Sequence, residues 1–577
     1  MVKVTKNTEF INLLQMLWWA IVCLTWVIAT ATQLPPSCRK PIYCDSQLLH
    51  HIQMAKIFPD SKTFVDLHLK NDEQTTLDLF DQLLQKTNNE PSKDDLKKFV
   101  EDNFDNTKEL EDWTPKDFGE NPKFLSGIKD EKLREFGKNV HKIWPKLGRQ
   151  VRQEVIDNPE RYSLIPVTHG FMIPGGRFKE IYYWDTYWII EGLLISDMTD
   201  TAKGMIENLI ELLKTLGHIP NGSRWYYEQR SQPPLLTAMV SLYIRYTKDF
   251  DFLRKNIDSL ENELDYWMST QAVTFQKNGK THTLLRYDAP SAGPRPESYQ
   301  EDYVNGQLFE NEDRRQEFYT DVKSAAESGW DFSSRWFIDE NGDNTGNLSN
   351  IHTTSIIPTD LNSIFVNAMQ TVAYFRGILG NPHKAAIWAL EAKRWRKSIN
   401  DVLWDDEDGI WYDYDIHNNK HRDYFFPTNL SPLWMGVIDK PLVSKYAPKV
   451  MDYLKKSSGL DFPGGVPSSL ARTGEQWDFP NAWPPLVSIV VNALEAMRLP
   501  EAKEAAFHVA QTWVRSNYKG FQANNQMFEK YDAEIPGQVG GGGEYTVQEG
   551  FGWSNGVVLE FLTKYGWSLT PSDNKSE

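Results

Sequence analysis

Two helix patterns set head to tail constrain this 577-residue chain more than any other feature. Leu361, Phe365, Ala368, Val372, Phe375 and Leu379 recur at steps of four and three, the spacing that gathers apolar side chains on one helix face. Asp360 stands where an N-cap is expected and Gly380 where the helix should stop. Pro382 opens a second run after Asn381, with Ala385, Trp388, Ala392, Trp395 and Ile399 again three and four apart, so the two helices form a hairpin. The unit returns in "VVNALEAMRLPEAKEAAFHVAQTWV", and "DTAKGMIENLIELLKTLG" with "PLLTAMVSLYIRYTKDFDFLRKNI" supplies further members. These are loose repeats of a hairpin, not a strict-period solenoid. No run of alternating β-branched residues is long enough for a central sheet, so an all-α closed ring of hairpins is expected.

Between the helices lie segments of a different composition. "PGGRFKEIYYWDTYW", "PNGSRWYYEQRSQPP", "DAPSAGPRPESYQED", "AAESGWDFSSRW", "GEQWDFPNAWPP", "MFEKYD" and "GGGGEYTVQEGFGWSNG" concentrate Gly, Pro, Trp, Arg and carboxylates. A helical scaffold that carries such groups on its connections would place them at one end.

Whole-chain properties narrow what those groups can bind. The net charge of −17 opposes nucleic-acid binding, which needs a basic stripe to displace counterions from phosphates. The 21 Trp include candidate stacking faces for a flat apolar ligand surface, although a large helical core would also use them. Residues 1–32 read as a cleaved signal peptide: Lys3 and Lys6 precede the apolar run "INLLQMLWWAIVCLTWVIATAT", which ends in small residues. Its length would also suit an uncleaved anchor. The polar end "LTPSDNKSE" carries no GPI signal. With Cys23 inside the signal, Cys38 and Cys44 remain as a candidate disulfide pair. Sequons begin at Asn221, Asn347, Asn429 and Asn574, consistent with a secreted glycoprotein, though a glycan on Asn221 would obstruct a candidate active loop. The domain boundaries expected are a signal (1–32), a helical extension packed on the ring (33–162), the ring itself (163–565) and a polar tail (566–577).

Paired carboxyl groups give the loops a chemistry. Hydrolysis of a glycosidic bond needs one protonated carboxyl to assist the leaving oxygen and one ionised carboxylate to activate water or attack. Asp331 follows Gly329 and Trp330 among aromatic residues, where burial would raise its pKa toward that of a proton donor. Glu529 lies between Phe528 and Lys530. Either taken alone reads more readily as a surface residue or a hydrogen-bonded loop staple. Arg177, Arg224, Arg230 and Arg295 tip the balance, because guanidinium groups interleaved with Trp, Tyr, Asn and Glu describe a polar pocket with stacking faces, as a carbohydrate requires. No H-E-x-x-H, Cys/His cluster or phosphate-binding P-loop is present, and "DENGDN" lacks the spacing of a calcium loop, so neither metal nor cofactor is expected. The run "GQVGGGGEY" fits a hinged loop that closes over a substrate and carries Glu544.

These segments are familiar together. "PGGRFKEIYYWDTYW" and "QWDFPNAWPP" resemble the two signature motifs of the trehalases, and the likeness runs in order from about Ile165 to near Val557. The chain is most similar in kind to the soluble secreted enzymes of insects. The resemblance implies an (α/α)6 toroid and hydrolysis of α,α-trehalose with inversion, Asp331 matching the family's acid and Glu529 its base. It assigns substrate contacts to Arg177, Trp184, Asp185, Asn221, Arg230, Ser231, Gln232, Arg295, Pro296, Glu297, Gly329 and Glu544, and marks Arg224 as a further required arginine. An inverting enzyme would hold the two carboxyls roughly 6.5–9.5 Å apart to admit a water. Asn481-Ala482 and Pro484 depart from the commoner form of the second motif, which puts loop detail in doubt. Two alternatives stand beside this one: another (α/α)6 α-glucosidase with a different disaccharide, and a sugar-binding protein without catalysis.

Overall fold

The computed structural model describes residues 34–572, so the expected signal (1–32) with Cys23, the sequon at Asn574 and the end of the polar tail lie outside the described residues. Twelve helices set the architecture. In chain order they are α1 (Glu131–His141), α2 (Asp185–Ile195), α3 (Thr199–Leu216), α4 (Leu236–Thr247), α5 (Phe250–Thr270) and α6 (Thr359–Ile378). They continue as α7 (Pro382–Leu403), α8 (Ser431–Trp434), α9 (Lys440–Ser457), α10 (Pro484–Met497), α11 (Pro500–Asn524) and α12 (Gly552–Tyr565).

Helices α2, α4, α6, α8, α10 and α12 each pack on the next, and α12 closes back onto α2. The result is an inner ring. Its members are apolar around much of their circumference, as in "PPLVSIVVNALEAM", because they touch neighbours on both sides and an outer partner behind. The outer helices alternate with them in sequence and keep a charged face for water, as in "TDTAKGMIENLIELLKTL". The fifth inner member is the least regular, a 3-10 turn (Pro427–Leu430) running into the four residues of α8. The expected all-α (α/α)6 toroid is what forms.

Local signals behave as anticipated with one exception. Asn381 caps α7, its side chain accepting from the Lys384 N–H at 3.1 Å with Pro382 in the first turn. Asp360, expected as the cap of α6, is instead the second residue of that helix, which Pro358 precedes. Its carboxylate is drawn to the Arg335 guanidinium, a charged partner stronger than a backbone N–H. Strands among the described residues are short and peripheral. The longest pair, Ala272–Lys277 with Lys280–Leu285, turns at Asn278-Gly279, where both residues have positive φ (51° and 73°), and forms a hairpin that the helical periodicity did not disclose.

Two cores are present. Residues from Cys38 to Phe104 form the smaller, which reaches Tyr182, Tyr226 and Tyr227 of the ring's loops. From Leu110 onward the buried side chains belong to the ring's core, and α1 packs on α12 as its outer partner. The stretch 33–162 therefore divides, its second half completing the toroid. Cys38 and Cys44 are joined as a disulfide at the edge of the smaller core. "DENGDN" is a turn, with the Gly342 N–H bonded to the Asp339 carbonyl at 2.9 Å.

The ring seals where α2 meets α12. A Cβ on Gly556 would stand 2.1 Å from the Trp188 carbonyl oxygen, and one on Gly192 would stand 2.8 Å from the Gly556 Cα. Only backbone can occupy that crossing. Gly556→Ala is expected to cost about 1–3 kcal/mol through overpacking, read as a lower midpoint in urea or a lower Tm.

Candidate active site

The connections of the ring are unequal. Those leading from an inner to an outer helix are short: 196–198, 248–249, 379–381, 435–439 and 498–499. Those leading back are long, spanning 142–184, 217–235, 271–358, 404–430, 458–483 and 525–551. Every long loop therefore arrives at the N-terminus of an inner helix, and the loops rich in Arg and Trp collect at that one end. The inner helices point the positive ends of their dipoles the same way, favouring anionic groups there.

A cavity opens among these loops. Arg177, Trp184, Asp185, Asn221, Arg230, Gln232, Arg295, Glu297, Gly329, Asp331, Glu529 and Glu544 all line it. The sequence reading thus brings twelve of its fifteen residues to one wall. The other three stand behind it. Ser231 is buried, with its hydroxyl donating to the Ile219 carbonyl and its N–H to the Glu327 carboxylate. Pro296 starts a 3-10 turn and its carbonyl accepts from Gln53 of the smaller core. Arg224 lies in a closed charge cluster, 2.8 Å from Glu109, 3.4 Å from Glu180 and 3.6 Å from Asp66. It ties the loop of Glu180 to the N-terminal segment and does not reach the cavity wall.

The arginines on the wall are already engaged. Arg177 donates to both oxygens of Asp60 at 2.9 and 2.7 Å. Arg230 pairs with Glu297 and donates to the Asn221 side-chain oxygen at 2.9 Å. Arg295 grips Asp302 through two bonds of 2.8 and 2.7 Å and reaches Glu544 at 3.0 Å. Compensated pairs hold the guanidinium planes rigid and leave little net charge at the wall, which suits a neutral polyhydroxyl ligand. The Trp184 N–H bonds the Gln232 side-chain oxygen at 3.0 Å, leaving the Gln232 NH2 for the cavity.

Aromatic residues form the floor, and several were missed from sequence. Trp477 and Trp483 lie parallel with centroids 3.8 Å apart, and Trp553 meets Trp184 and Trp483 edge-on. Phe178, Tyr182, Tyr227, Tyr545 and Phe551 also line the space. Both tryptophans of "QWDFPNAWPP" stood inside a quoted motif, and their pairing was the available signal. Gly329 earns its place by geometry: its φ is 81°, and a Cβ there would stand 2.6 Å from the Trp184 ring.

The loop carrying Asp331 is clamped from two sides. Arg335, fully buried, donates to Asp360 at 2.9 and 2.7 Å and to Asp413 at 2.8 Å, and lies over the Trp330 and Trp336 rings. Asp478 of the second motif accepts from the Ser333 hydroxyl, the Ser334 N–H and the Ser334 hydroxyl at 2.9, 2.8 and 2.9 Å. The Gln476 amide reaches the Asp331 carbonyl, and the Trp477 N–H bonds the Phe332 carbonyl at 3.0 Å. Burial pushes the Asp331 carboxyl up to about 7, Arg295 opposing and Glu544 adding to the rise. Glu529 is also raised by burial, but Lys530, a hydrogen bond from Tyr545 and Arg177 pull it back. Asp185, buried at the first turn of α2, is pushed well above the carboxylate range by burial and then by Glu529 and Asp331, so three carboxyls share one field. Burial lowers the Lys530 ammonium to about 8.

Comparison with known proteins places the chain as a whole. The family model described as trehalase matches residues 56–566. The chain belongs to the trehalase family. It is 58% identical over 558 residues to the trehalase of Bombyx mori, covering 97% of this chain and 96% of that protein. It is 49% identical to the trehalase of Tenebrio molitor, over 93% of this chain and 97% of that one. The solved structure of neutral trehalase Nth1 from Saccharomyces cerevisiae shares the fold, with a TM-score of 0.55 at 24% identity over 68% of this chain and 73% of that one. Within this trehalase-family chain the departures in the second motif acquire local reasons. Asn481 holds Gly541 through two 2.9 Å bonds, and Pro484 occupies the first turn of α10, where no N–H is needed. Of the sequons, Asn221 and Asn429 are buried and Asn347 is exposed.

Arg335→Met would leave Asp360 and Asp413 without their buried counter-charge. A loss of about 3–5 kcal/mol is expected, visible as a lower urea midpoint.

Proposed function

We propose that this chain hydrolyses α,α-trehalose to two glucose molecules, with Asp331 as proton donor and Glu529 as general base. The observation that carries the assignment is that one compensated, aromatic-floored cavity contains both carboxyls and gives them different surroundings. Asp331, raised to about 7, keeps its proton near neutrality. Glu529 has an adjacent Lys530 and accepts a hydrogen bond from Tyr545, both favouring its ionised form.

In the reaction Asp331 gives its proton to the bridging oxygen as the bond from that oxygen to the anomeric carbon breaks. Glu529 removes a proton from a water that attacks the same carbon on the opposite face. The attacked glucose leaves as the β anomer and the other as α. Arg177, Arg230 and Arg295, with Asn221, Gln232, Asp185, Glu297 and Glu544, orient hydroxyl groups, and Trp184 supplies an apolar face. The glycine-rich segment before Glu544 shields the carboxyls from bulk water. The substrate is a neutral disaccharide, no nucleic-acid partner is assigned, and removal of residues 1–32 would release the protein for secretion. N-terminal sequencing of protein from culture medium tests that cleavage.

Incubation with trehalose, maltose and sucrose, followed by NMR of the first-formed anomers, tests the assignment. Equal initial α- and β-glucose from trehalose is expected, whereas α-glucose alone would exclude inversion and preferential use of maltose would favour another α-glucosidase. Asp331→Asn and Glu529→Gln should each abolish turnover with Tm retained. The profile of kcat/KM should be bell-shaped. Its alkaline limb falls near pH 7 as Asp331 loses its proton, and its acid limb lies above the ordinary value for a glutamate because burial raises Glu529. Coupling to Asp185 makes both limbs properties of the group.

A further inference from the structure

We infer that Tyr545 is a positioning residue for Glu529 and that Asp60, in the N-terminal unit, holds it there through Arg177. The inference rests on Glu529 being the base. Among the described residues Tyr545 is the side-chain donor to that carboxylate, its hydroxyl giving a hydrogen bond to Oε1 at 2.9 Å. On the other oxygen only the Gln548 N–H approaches, at 3.5 Å. Lys530, the adjacent cation, donates instead to the Gln476 side-chain oxygen at 2.9 Å and the Gly542 carbonyl at 3.4 Å. The direction in which Glu529 points is therefore set by one phenol.

The segment behind that phenol is tethered at Gly541 by Asn481, and the ring itself is held from across the cavity. Tyr545 follows Gly540–Gly543, a run without side chains, and its neighbour Glu544 is tied elsewhere, to Arg295 at 3.0 Å and Ser298 at 2.9 Å. Two side chains brace the ring: Phe178 meets it edge-on at 5.3 Å, and the Arg177 guanidinium carbon lies 4.8 Å from its centroid. A cation on the ring face draws electron density from the phenol and strengthens its O–H as a donor. Arg177 in turn is fixed by both oxygens of Asp60. Asp60 is immobilised as the N-cap of Ser61–Val65, accepting from the Lys62 N–H at 2.9 Å. A chain of contacts thus runs from the smaller core to the base: Asp60, Arg177, Tyr545, Glu529.

The charged and titratable groups that face Glu529 are Lys530 on its own segment, Asp185 at the start of α2, Asp331 beyond the helix Glu312–Ser328, and Arg177 with Tyr545 across the cavity. Tyr545 keeps its proton throughout the working range, because burial and then Glu529 raise it well above its ordinary value. Removing its hydroxyl leaves the other groups in place and takes one donor from the ionised base. The sign follows: the carboxylate becomes easier to protonate, and the acid limb moves to higher pH.

The test is the pH profile of kcat and kcat/KM on trehalose for the full-length wild type, Tyr545→Phe, Asp60→Asn and Glu529→Gln, with Tm measured for each. Tyr545→Phe is expected to move the acid limb up by about one pH unit, lowering kcat about tenfold below the limb. KM should change less than twofold, and the alkaline limb should stay in place. Asp60→Asn, on a separate element, should move the same limb the same way by a smaller amount. A uniform loss at every pH with an unmoved limb in Tyr545→Phe overturns the role of Tyr545, and an unmoved limb in Asp60→Asn overturns that of Asp60. If Tyr545→Phe does not fold, the Asp60→Asn limb decides the matter. Wild-type turnover in Glu529→Gln would instead overturn the base assignment itself, whereas an inactive Glu529→Gln beside an unmoved Tyr545→Phe limb overturns this inference alone.

Discussion

A guanidinium sealed between two carboxylates carries the geometry of the site. Arg335 is fully buried, and the loss of hydration is offset only because Asp360, Asp413 and the faces of Trp330 and Trp336 take up its charge. Asp360 belongs to an inner helix and Asp413 to a strand, so the ion cluster fixes the loop of Asp331 to the ring at two independent points. Asp478 then locks the same loop to the second motif through three bonds, to Ser333 and to the N–H and hydroxyl of Ser334. Asp331, the proposed proton donor, projects from a loop that these bonds hold on two sides. Rigidity of this kind is what a displacement with narrow geometric tolerance requires.

The two long motifs divide the work. The first supplies Arg177, Trp184 and Asp185 to the cavity wall. The second supplies two stacked tryptophans and, through Asp478 and Gln476, the mount for a catalytic loop elsewhere in the chain. Neither contains Asp331 or Glu529. The most recognisable stretches of sequence are therefore the frame around the proposed catalytic pair, which depends on that frame for its environment.

Much of this was legible before any coordinates. Apolar spacing and the Asn381-Pro382 start gave the hairpins, because helix packing leaves a periodic imprint on every turn. The gathering of Arg and Trp in the connections gave the cavity, because such residues are costly in loops that serve only to connect. What escaped notice was set by partners distant in sequence. Asp360 looked like a cap since its competitor, Arg335, lies 25 residues away. Arg224 looked like its neighbours in the loops, yet Glu109, 115 positions earlier by subtraction of the residue numbers, pulls it behind the wall. The division of residues 33–162 between two cores was hidden for the same reason: α1 has an ordinary amphipathic pattern, and nothing local says that its partner is the last helix of the ring.

That partnership has a consequence for how the protein comes to exist. The inner ring closes only when α12 docks against α2, and the outer helix behind α12 is the first of the ring to be made. A chain emerging from the ribosome must hold α1 and α2 in waiting while more than three hundred further residues are synthesised, from Ile195 to Gly552. Glu529, Glu544, Tyr545 and Trp553 arrive in the last stretch. A product cut short just before α12 carries the signature motifs, Asp331 and the arginines, yet has an open ring and no enclosed space in which they could meet a sugar.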